Sequence, residues 1–118
     1  MQHGFSGRAC KIADTCYTFW IGASIRIICQ VFGDKAEDFF DKKLLIDFLK
    51  ASYDGEKHGF GKKPGIGMDL YHTCYTLIGI SCLGLSKDID PKIIDDIDPI
   101  LTIRNNRSNS MRKYFESV

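Results

Sequence analysis

Apolar residues gather in three stretches of the chain, and their arrangement differs from one stretch to the next. Residues 17–32 and 69–85 are apolar on nearly every side of a helix, which predicts helices buried on more than one face. Residues 35–52 place one apolar stripe opposite lysines and aspartates, which predicts an amphipathic helix with one side in solvent. The order buried, amphipathic, buried is typical of concentric packing, in which outer helices cover inner ones.

Turn and capping residues bound these helices. Asp14 or Thr15 can cap the first helix by accepting a hydrogen bond from an amide of its first turn, and Gly33 is a typical helix stop. Residues 54–67, which are rich in Gly, Lys and Pro, are predicted to form a loop. No segment shows the alternation of a β-strand, so we expect an all-α fold.

The helical pattern weakens in the tail, from about residue 86 to residue 118. Asp90-Pro91 and Asp98-Pro99 predict turns, because the residue before a proline is displaced from the helical region. Residues 105–109 are predicted to form a polar loop and residues 110–117 a short terminal helix.

An internal repeat links the first and third stretches. A His-Gly-Phe tripeptide recurs, each glycine is followed ten positions later by an aspartate, and a Thr-Cys-Tyr-Thr tetrapeptide comes after each aspartate. Recurrence at this distance predicts stacked helical units, which need three or more copies to be stable alone. Either the fold is incomplete, or the chain is a piece of something larger. The copies are His3-Gly4-Phe5, Asp14 and residues 15–18, and His58-Gly59-Phe60, Asp69 and residues 73–76.

Composition excludes several classes of function. The 16 basic and 15 acidic residues leave a net charge of +1, so we expect no basic surface for nucleic acid or an anionic membrane. The apolar stretches are too short or too polar to span a bilayer. An odd number of cysteines, no CxxC pair and no signal peptide predict free thiols in the cytoplasm. The cysteines are Cys10, Cys16, Cys29, Cys74 and Cys82.

Several side chains are candidates for chemistry. Asp14, Cys16 and His72 offer a carboxylate, a thiolate and an imidazole, which can hold Zn²⁺ with one coordination position open. Spacing alone leaves the alternative that Cys16 and His72 are ordinary core residues. Arg8 and Lys11 precede a helix N-terminus and either bind a phosphate or belong to a solvated surface loop.

The second unit carries a similar basic pair, Lys62 and Lys63, under the same two interpretations. Aromatic residues cluster near the starts of the two buried helices. They either line an apolar ligand pocket or pack in the core. These residues are Tyr17, Phe19, Trp20 and Tyr71.

Two motifs resemble those of a known family. Residues 4–20 resemble the GFxGRxxKxxDxCYSFW motif of protein prenyltransferase β subunits, and residues 59–72 resemble their GGFxxxPxxxxDxYH motif, although both copies here read HGF where the family has GGF. The resemblance spans about residues 3–104. It implies that residues 1–118 are the C-terminal portion of an all-α, α/α toroid (an α6–α6 barrel), with about two repeats plus the tail.

The resemblance also implies roles for individual residues. Asp14, Cys16 and His72 match three ligands of a catalytic zinc ion, and the cysteine of a substrate's C-terminal CaaX motif would be the fourth. Other residues match groups that bind the isoprenoid diphosphate, the isoprenoid or the peptide. Arg8, Lys11 and Tyr17 match the diphosphate-binding groups, Trp20 an aromatic of the isoprenoid pocket, and Tyr71 a residue beside the peptide's C-terminal side chains.

The subtype implied is the geranylgeranyl type I enzyme, a cytoplasmic heterodimer with an α subunit. Lys62 stands where that enzyme has a lysine and the farnesyl enzyme has an aspartate that helps to place magnesium, so Mg²⁺ is expected to be dispensable. Residues 19–24 and 98–103 also resemble the type I enzyme, whereas residues 71–75 resemble the farnesyl enzyme. The alternatives are a farnesyltransferase β subunit with farnesyl diphosphate as donor, a Rab geranylgeranyltransferase β subunit, and a truncated, non-catalytic interaction fragment.

Overall fold

A computed structural model describes residues 3–93 and 96–118 of the chain. Within these ranges the fold is mainly helical, which confirms the expected class. In chain order the elements are α1 (Tyr17–Phe32), a 3₁₀ turn (Ala36–Asp38), α2 (Lys42–Ala51), β1 (Tyr53–Asp54), β2 (Gly59–Phe60), α3 (Leu70–Cys82), α4 (Ser86–Ile89) and α5 (Asn105–Glu116).

Helix α1 has nearly the predicted limits, but neither Asp14 nor Thr15 caps it. Cys16 is the N-cap residue and makes no capping bond with its side chain. The Asp14 carboxylate accepts a hydrogen bond from the Cys16 amide at 3.0 Å, and the Thr15 hydroxyl is engaged elsewhere. At the other end, Gly33 adopts the left-handed conformation (φ 78°) that typically stops a helix.

The single helix predicted over residues 35–52 is in fact two elements. The 3₁₀ turn is followed by a break, and α2 begins only at Lys42. Asp41 explains the restart, because its side chain accepts a hydrogen bond from the amide of Leu44 at 3.0 Å and so caps a new helix. The apolar stripe of α2 is buried as predicted, through Leu45, Phe48 and Leu49.

The loop predicted at residues 54–67 contains a β-hairpin, so the expectation of no strands is wrong. Tyr53 pairs with Phe60 and Asp54 with Gly59 in antiparallel register. Strands of two residues show no alternation in the sequence. Their turn is instead held by the Asp54 carboxylate, which accepts hydrogen bonds from two amides of the turn, both at 3.0 Å.

Helices α1 and α3 pack closely against each other. At Gly79 a Cβ atom would lie 2.3 Å from the backbone carbon of Thr18, so only glycine permits this approach. Helix α2 covers one side of the pair, which gives the predicted alternation of inner and outer helices. The main core cluster includes Ile25, Leu45, Phe48, Leu49, Phe60, Ile80, Leu83 and Leu85.

The far side of α1 is open to solvent in this chain. Val31 and Phe32 are 69% and 73% exposed, and Trp20 and Ile28 are also exposed. The predicted burial on several faces therefore holds only where α1 meets its neighbours. None of the helices in the described ranges combines the length and the apolar character needed to cross a bilayer.

The tail differs most from the sequence-based expectation. Residues 105–109, predicted to be a loop, form the first turns of α5, which runs from Asn105 to Glu116. Long-range bonds stabilise this start: the side-chain amide of Asn105 donates to Asp96 at 3.0 Å, and the Ser108 hydroxyl donates to Asp98 at 2.5 Å. The turn predicted at Asp98-Pro99 is present, and the Asp98 carboxylate accepts amide hydrogen bonds within it.

Candidate metal and diphosphate site

Backbone pairing between two loops fixes the position of Asp14. The amide of Thr15 donates to the carbonyl of Lys62 at 2.9 Å, and the Thr15 hydroxyl donates to the carbonyl of Gly61 at 2.8 Å. The segment after β2 is therefore held against the start of α1. As a result the ammonium group of Lys62 lies 3.8 Å from the Asp14 carboxylate.

Asp69 fixes the position of His72 at the start of α3. One carboxylate oxygen of Asp69 accepts the backbone amide of His72 at 2.8 Å and caps the helix, and the other contacts the imidazole Nδ1 at 2.6 Å. An imidazole that donates its Nδ1 proton to Asp69 offers the lone pair of Nε2 to a metal ion. Nε2 lies 3.2 Å from the carboxylate of Asp14.

Asp14, Cys16 and His72 meet at one place. Their ligand atoms all lie within 4.8 Å of one another, although the residues come from two different helix starts. Tetrahedral zinc with bonds of about 2.0–2.3 Å would bring such atoms to about 3.5 Å apart, so side-chain shifts of about 1 Å would complete the site. A thiolate, an imidazole backed by a carboxylate, and a second carboxylate form a donor set that fits zinc.

The thiol of Cys16 is buried, with 5% of the residue exposed. Burial, then a hydrogen bond to Asp14 and the charge of that carboxylate, raise the pKa of Cys16 to about 11. Weaker interactions with Tyr71 and Trp20 lower it in part. The sulfur therefore keeps its proton at neutral pH, and a metal ion would have to displace that proton in order to bind.

A cationic cavity of about 550 Å³ lies next to this group, and Asp14 is one of its lining residues. The predicted diphosphate-binding residues all line it, together with Lys63. Gly7 lets the Tyr17 phenol reach the cavity wall, because a Cβ atom there would lie 2.3 Å from the phenol oxygen. The residues concerned are Arg8, Lys11, Tyr17 and Lys62.

Trp20 and Tyr71 lie outside the cationic cavity and belong to an aromatic cluster beside Cys16. Both rings contact Tyr75, each with a centroid distance of 4.8 Å. Phe19 contacts Tyr75 at 5.3 Å and completes the cluster. Both Trp20 and Tyr71 are about half exposed, so the cluster presents an apolar wall next to the candidate metal ligands.

Comparison with known proteins decides the family. A family model described as the prenyltransferase alpha-alpha toroid domain matches residues 1–103. The chain belongs to this family. A solved structure of Candida albicans protein geranylgeranyltransferase-I complexed with GGPP superimposes on 91% of the chain with a TM-score of 0.72 and 28% sequence identity.

Individual relatives of this prenyltransferase chain are β subunits of more than one enzyme. A protein farnesyltransferase β subunit from Saccharomyces cerevisiae is 37% identical over 76% of the chain. A geranylgeranyl transferase type-1 β subunit from Arabidopsis thaliana is 41% identical over 68% of the chain. Prenyltransferase β subunit ancestry is therefore clear, whereas farnesyl and geranylgeranyl relatives match comparably.

The prenyltransferase chain spans only part of these relatives. It covers 20% of each of the two β subunits and 28% of the Candida albicans chain. The match therefore concerns one segment of a much longer toroid.

Two residues of the site were missed by sequence reasoning. Asp69 belongs to the internal repeat and to the second motif, but sequence reasoning gives it no role in the site, although an aspartate three positions before a histidine at a helix N-terminus is a signal for a residue that orients the imidazole. Tyr75 sits at the centre of the aromatic cluster, yet nothing in the sequence distinguishes it from an ordinary core tyrosine.

Proposed function

We propose that this chain forms the metal- and diphosphate-binding part of a protein prenyltransferase β subunit, which works as a cytoplasmic heterodimer with an α subunit. The reaction joins an isoprenoid to the cysteine sulfur of a protein's C-terminal CaaX motif and releases diphosphate. The observation that carries this proposal is the convergence of Asp14, Cys16 and His72 beside a cationic cavity. Family membership is its second support.

The proposed metal ligands would hold the ion to which the substrate's sulfur binds. A zinc ion held by Asp14, Cys16 and His72 would supply the charge that keeps the substrate cysteine as a thiolate at neutral pH. Asp69 orients the imidazole through its 2.6 Å contact with Nδ1. The aromatic wall of Trp20 and Tyr75 gives one side of the site an apolar surface, which suits an isoprenoid chain.

The cationic cavity stabilises diphosphate as the leaving group. Arg8, Lys11 and Lys62 surround a space large enough for the diphosphate group, and the Tyr17 hydroxyl lines the same wall. As the carbon–oxygen bond to diphosphate breaks, negative charge grows on the leaving oxygen, and these fixed cations stabilise it. Lys62 lies 3.8 Å from Asp14 and so links the diphosphate cavity to the proposed metal site.

We further propose geranylgeranyl diphosphate as the donor and no requirement for Mg²⁺. A lysine at position 62 supplies positive charge where a magnesium ion would otherwise be needed. The assembled α/β enzyme should transfer geranylgeranyl in preference to farnesyl, at the same rate with and without Mg²⁺. Lys62→Asp should lower the rate without Mg²⁺ by about 100-fold and restore part of it when Mg²⁺ is added. Lys57→Asp, on the exposed hairpin turn, is the control.

A farnesyl donor is the second candidate, favoured by residues 71–75 and by the farnesyltransferase relatives. The same assay separates the two, because strict Mg²⁺ dependence of the unaltered enzyme would contradict the type I assignment. A non-catalytic fragment is the remaining alternative. It predicts that the 118-residue chain binds no zinc, and stoichiometric binding that Cys16→Ala abolishes would refute it.

A further inference from the structure

A second cavity, of about 360 Å³, lies between the β-hairpin, the end of α2, helix α3 and the segment around Ile89. It shares no lining residue with the cationic cavity, and none of the proposed metal ligands reaches it. Its volume is at the lower end of the range for small-molecule pockets, which suits a single short chain rather than a folded peptide.

One wall of this cavity carries polar donors. Lys50 comes from the end of α2, and Tyr53 and His58 come from the two sides of the hairpin. The Tyr53 hydroxyl lies 3.3 Å from the imidazole Nδ1 of His58, so the two groups form one polar surface. Within the part of the chain that the structure describes, Lys50 makes no ion pair, so its charge is available to a ligand.

The backbone at His58 is unusual and is held by hydrogen bonds. His58 has a φ of 56°, in the left-handed region where glycine is the usual residue. Its amide donates to the carbonyl of Asp54 at 2.9 Å, and the Asp54 carboxylate holds the rest of the turn. Glycine would form this turn without strain, so the histidine side chain is not required for the turn itself.

The opposite wall is mainly apolar. Leu77 of α3 and Ile89 and Ile93 of the following segment line it, and Phe60 is a buried lining residue from the hairpin. Asp90 is the acidic lining residue, and one of its carboxylate oxygens already accepts the amide of Lys92 at 2.9 Å. A cation with two hydrogen-bonding groups faces an aliphatic surface, which is the arrangement that an amphipathic anion requires.

We propose that this cavity binds a medium-chain alkyl carboxylate, with the carboxylate beside Lys50, Tyr53 and His58 and the alkyl chain along Leu77, Ile89 and Ile93. The proposal does not depend on prenyl transfer, because it uses a separate set of residues. Its ligand is a small molecule, and a cavity of about 360 Å³ has room for an alkyl chain of about ten carbons.

Calorimetric titration of the full chain with decanoate tests the proposal. We expect saturable one-to-one binding, weakened about tenfold in Lys50→Gln, because a hydrogen bond to a charged group is lost. Lys57→Gln is the matched control, since Lys57 lies in the same hairpin but outside the cavity, and it should bind decanoate as the unaltered chain does. His58→Gly should also weaken binding while keeping the fold, because glycine adopts the left-handed conformation readily.

Two further experiments test whether the ligand binds in this cavity and through its negative charge. Leu77→Trp should fill the cavity and abolish binding, with circular dichroism showing that the helices remain. Decyltrimethylammonium, which has the same chain and the opposite charge, should bind at least tenfold more weakly than decanoate. Equal binding of the two compounds, no saturable binding of decanoate, or a loss caused by Lys11→Gln in the cationic cavity would each overturn the proposal.

Discussion

The two copies of the internal repeat share their sequence pattern but differ in what they do. In both copies the first threonine of Thr-Cys-Tyr-Thr bonds to the same hairpin segment. Thr15 donates to the carbonyl of Gly61 at 2.8 Å, and Thr73 accepts the amide of Phe60 at 2.9 Å. The hairpin is therefore held between the two units by equivalent side chains.

A three-residue difference separates the units. In the first, Asp14 directly precedes the tetrapeptide, so Cys16 stands at the N-cap of α1 next to that carboxylate. In the second, Leu70, Tyr71 and His72 come between the aspartate and the tetrapeptide, and α3 begins before it. Cys74 consequently lies inside a helix and is exposed, whereas the inserted His72 reaches Asp14.

The comparison teaches how a repeat builds an asymmetric site. One unit supplies a carboxylate and a thiol, and the other supplies an imidazole together with the carboxylate that orients it. The repeated aspartate changes role accordingly: Asp14 faces the candidate metal position, while Asp69 caps a helix and holds His72. Variants at equivalent positions should therefore have unequal effects.

The largest inequality is expected at the two cysteines. Cys16→Ala should lower the affinity of the chain for Zn²⁺ by at least about 100-fold, because a ligand atom is lost. Cys74→Ala should leave it unchanged, since Cys74 lies outside the group that converges. Competition with a chromophoric chelator measures both affinities. Equal losses in the two variants would show that the units are interchangeable and would contradict the assignment.

A smaller effect is expected at Asp69. Asp69→Asn keeps an N-cap oxygen but removes the charge that backs the imidazole, so zinc affinity should fall about tenfold while the free energy of unfolding changes little. Asp69→Ala should lose the cap as well and reduce that free energy by about 1 kcal/mol. Chelator competition and urea unfolding of the same samples separate the two roles. A large loss of stability in Asp69→Asn would mean that the carboxylate is mainly structural.

The parts of this fold that could be predicted from sequence are those fixed by local pattern. The apolar periodicity of α1 and α3 and the stop at Gly33 depend on neighbours in the chain, and they were predicted nearly at their limits. The restart of α2 at Asp41 was missed because one capping side chain overrides a continuous apolar stripe. The start of α5 was missed because its stabilising partner, Asp98, is a tertiary contact.

The candidate site was predictable only through its resemblance to a family. From residue types alone, Cys16 and His72 remained compatible with ordinary core positions. Their convergence depends on the pairing of Thr15 with the segment after β2, which no local signal reveals. The role of Asp69 could have been predicted from its spacing. A residue three positions before His72 can both cap the helix and orient the imidazole.

Asp98, in the tail, provides a contrast to both repeat aspartates, because it is buried and its carboxylate accepts hydrogen bonds from Ser108 and Arg112 within the tail. Burial by itself raises the pKa of Asp98, but the Ser108 hydroxyl, two backbone amides and the Arg112 guanidinium outweigh it and lower the pKa below its ordinary 3.8. A carboxylate with a depressed pKa stabilises the folded chain above about pH 4, and this stability is lost as the pH falls through the folded-state value.

Asp98→Asn should therefore reduce the free energy of unfolding by about 1 kcal/mol at pH 6, and the difference from the unaltered chain should shrink below pH 4. Urea unfolding between pH 3 and pH 7 measures the difference. A deficit that stays constant over this range would mean that the charge of Asp98 contributes nothing.

The smallest effects are expected at the last threonine of each tetrapeptide. Thr18 and Thr76 are both buried, and within the described ranges neither hydroxyl has a hydrogen-bond partner. Valine has nearly the same shape and removes a polar group that is buried without compensation. Thr18→Val and Thr76→Val should therefore leave the free energy of unfolding unchanged or raise it by about 0.5 kcal/mol.

The first threonine of each unit is the matched control, because its hydroxyl is bonded. Thr15→Val and Thr73→Val should each lower the free energy of unfolding by about 1 kcal/mol, since Gly61 or Phe60 then loses its partner. Urea unfolding of the four variants gives the comparison directly. If both first-threonine variants lose stability and both last-threonine variants do not, the two units pack in the same way and differ only in the chemistry of their side chains. If Thr18→Val and Thr76→Val instead have unlike effects, the asymmetry of the site extends into the interface between α1 and α3.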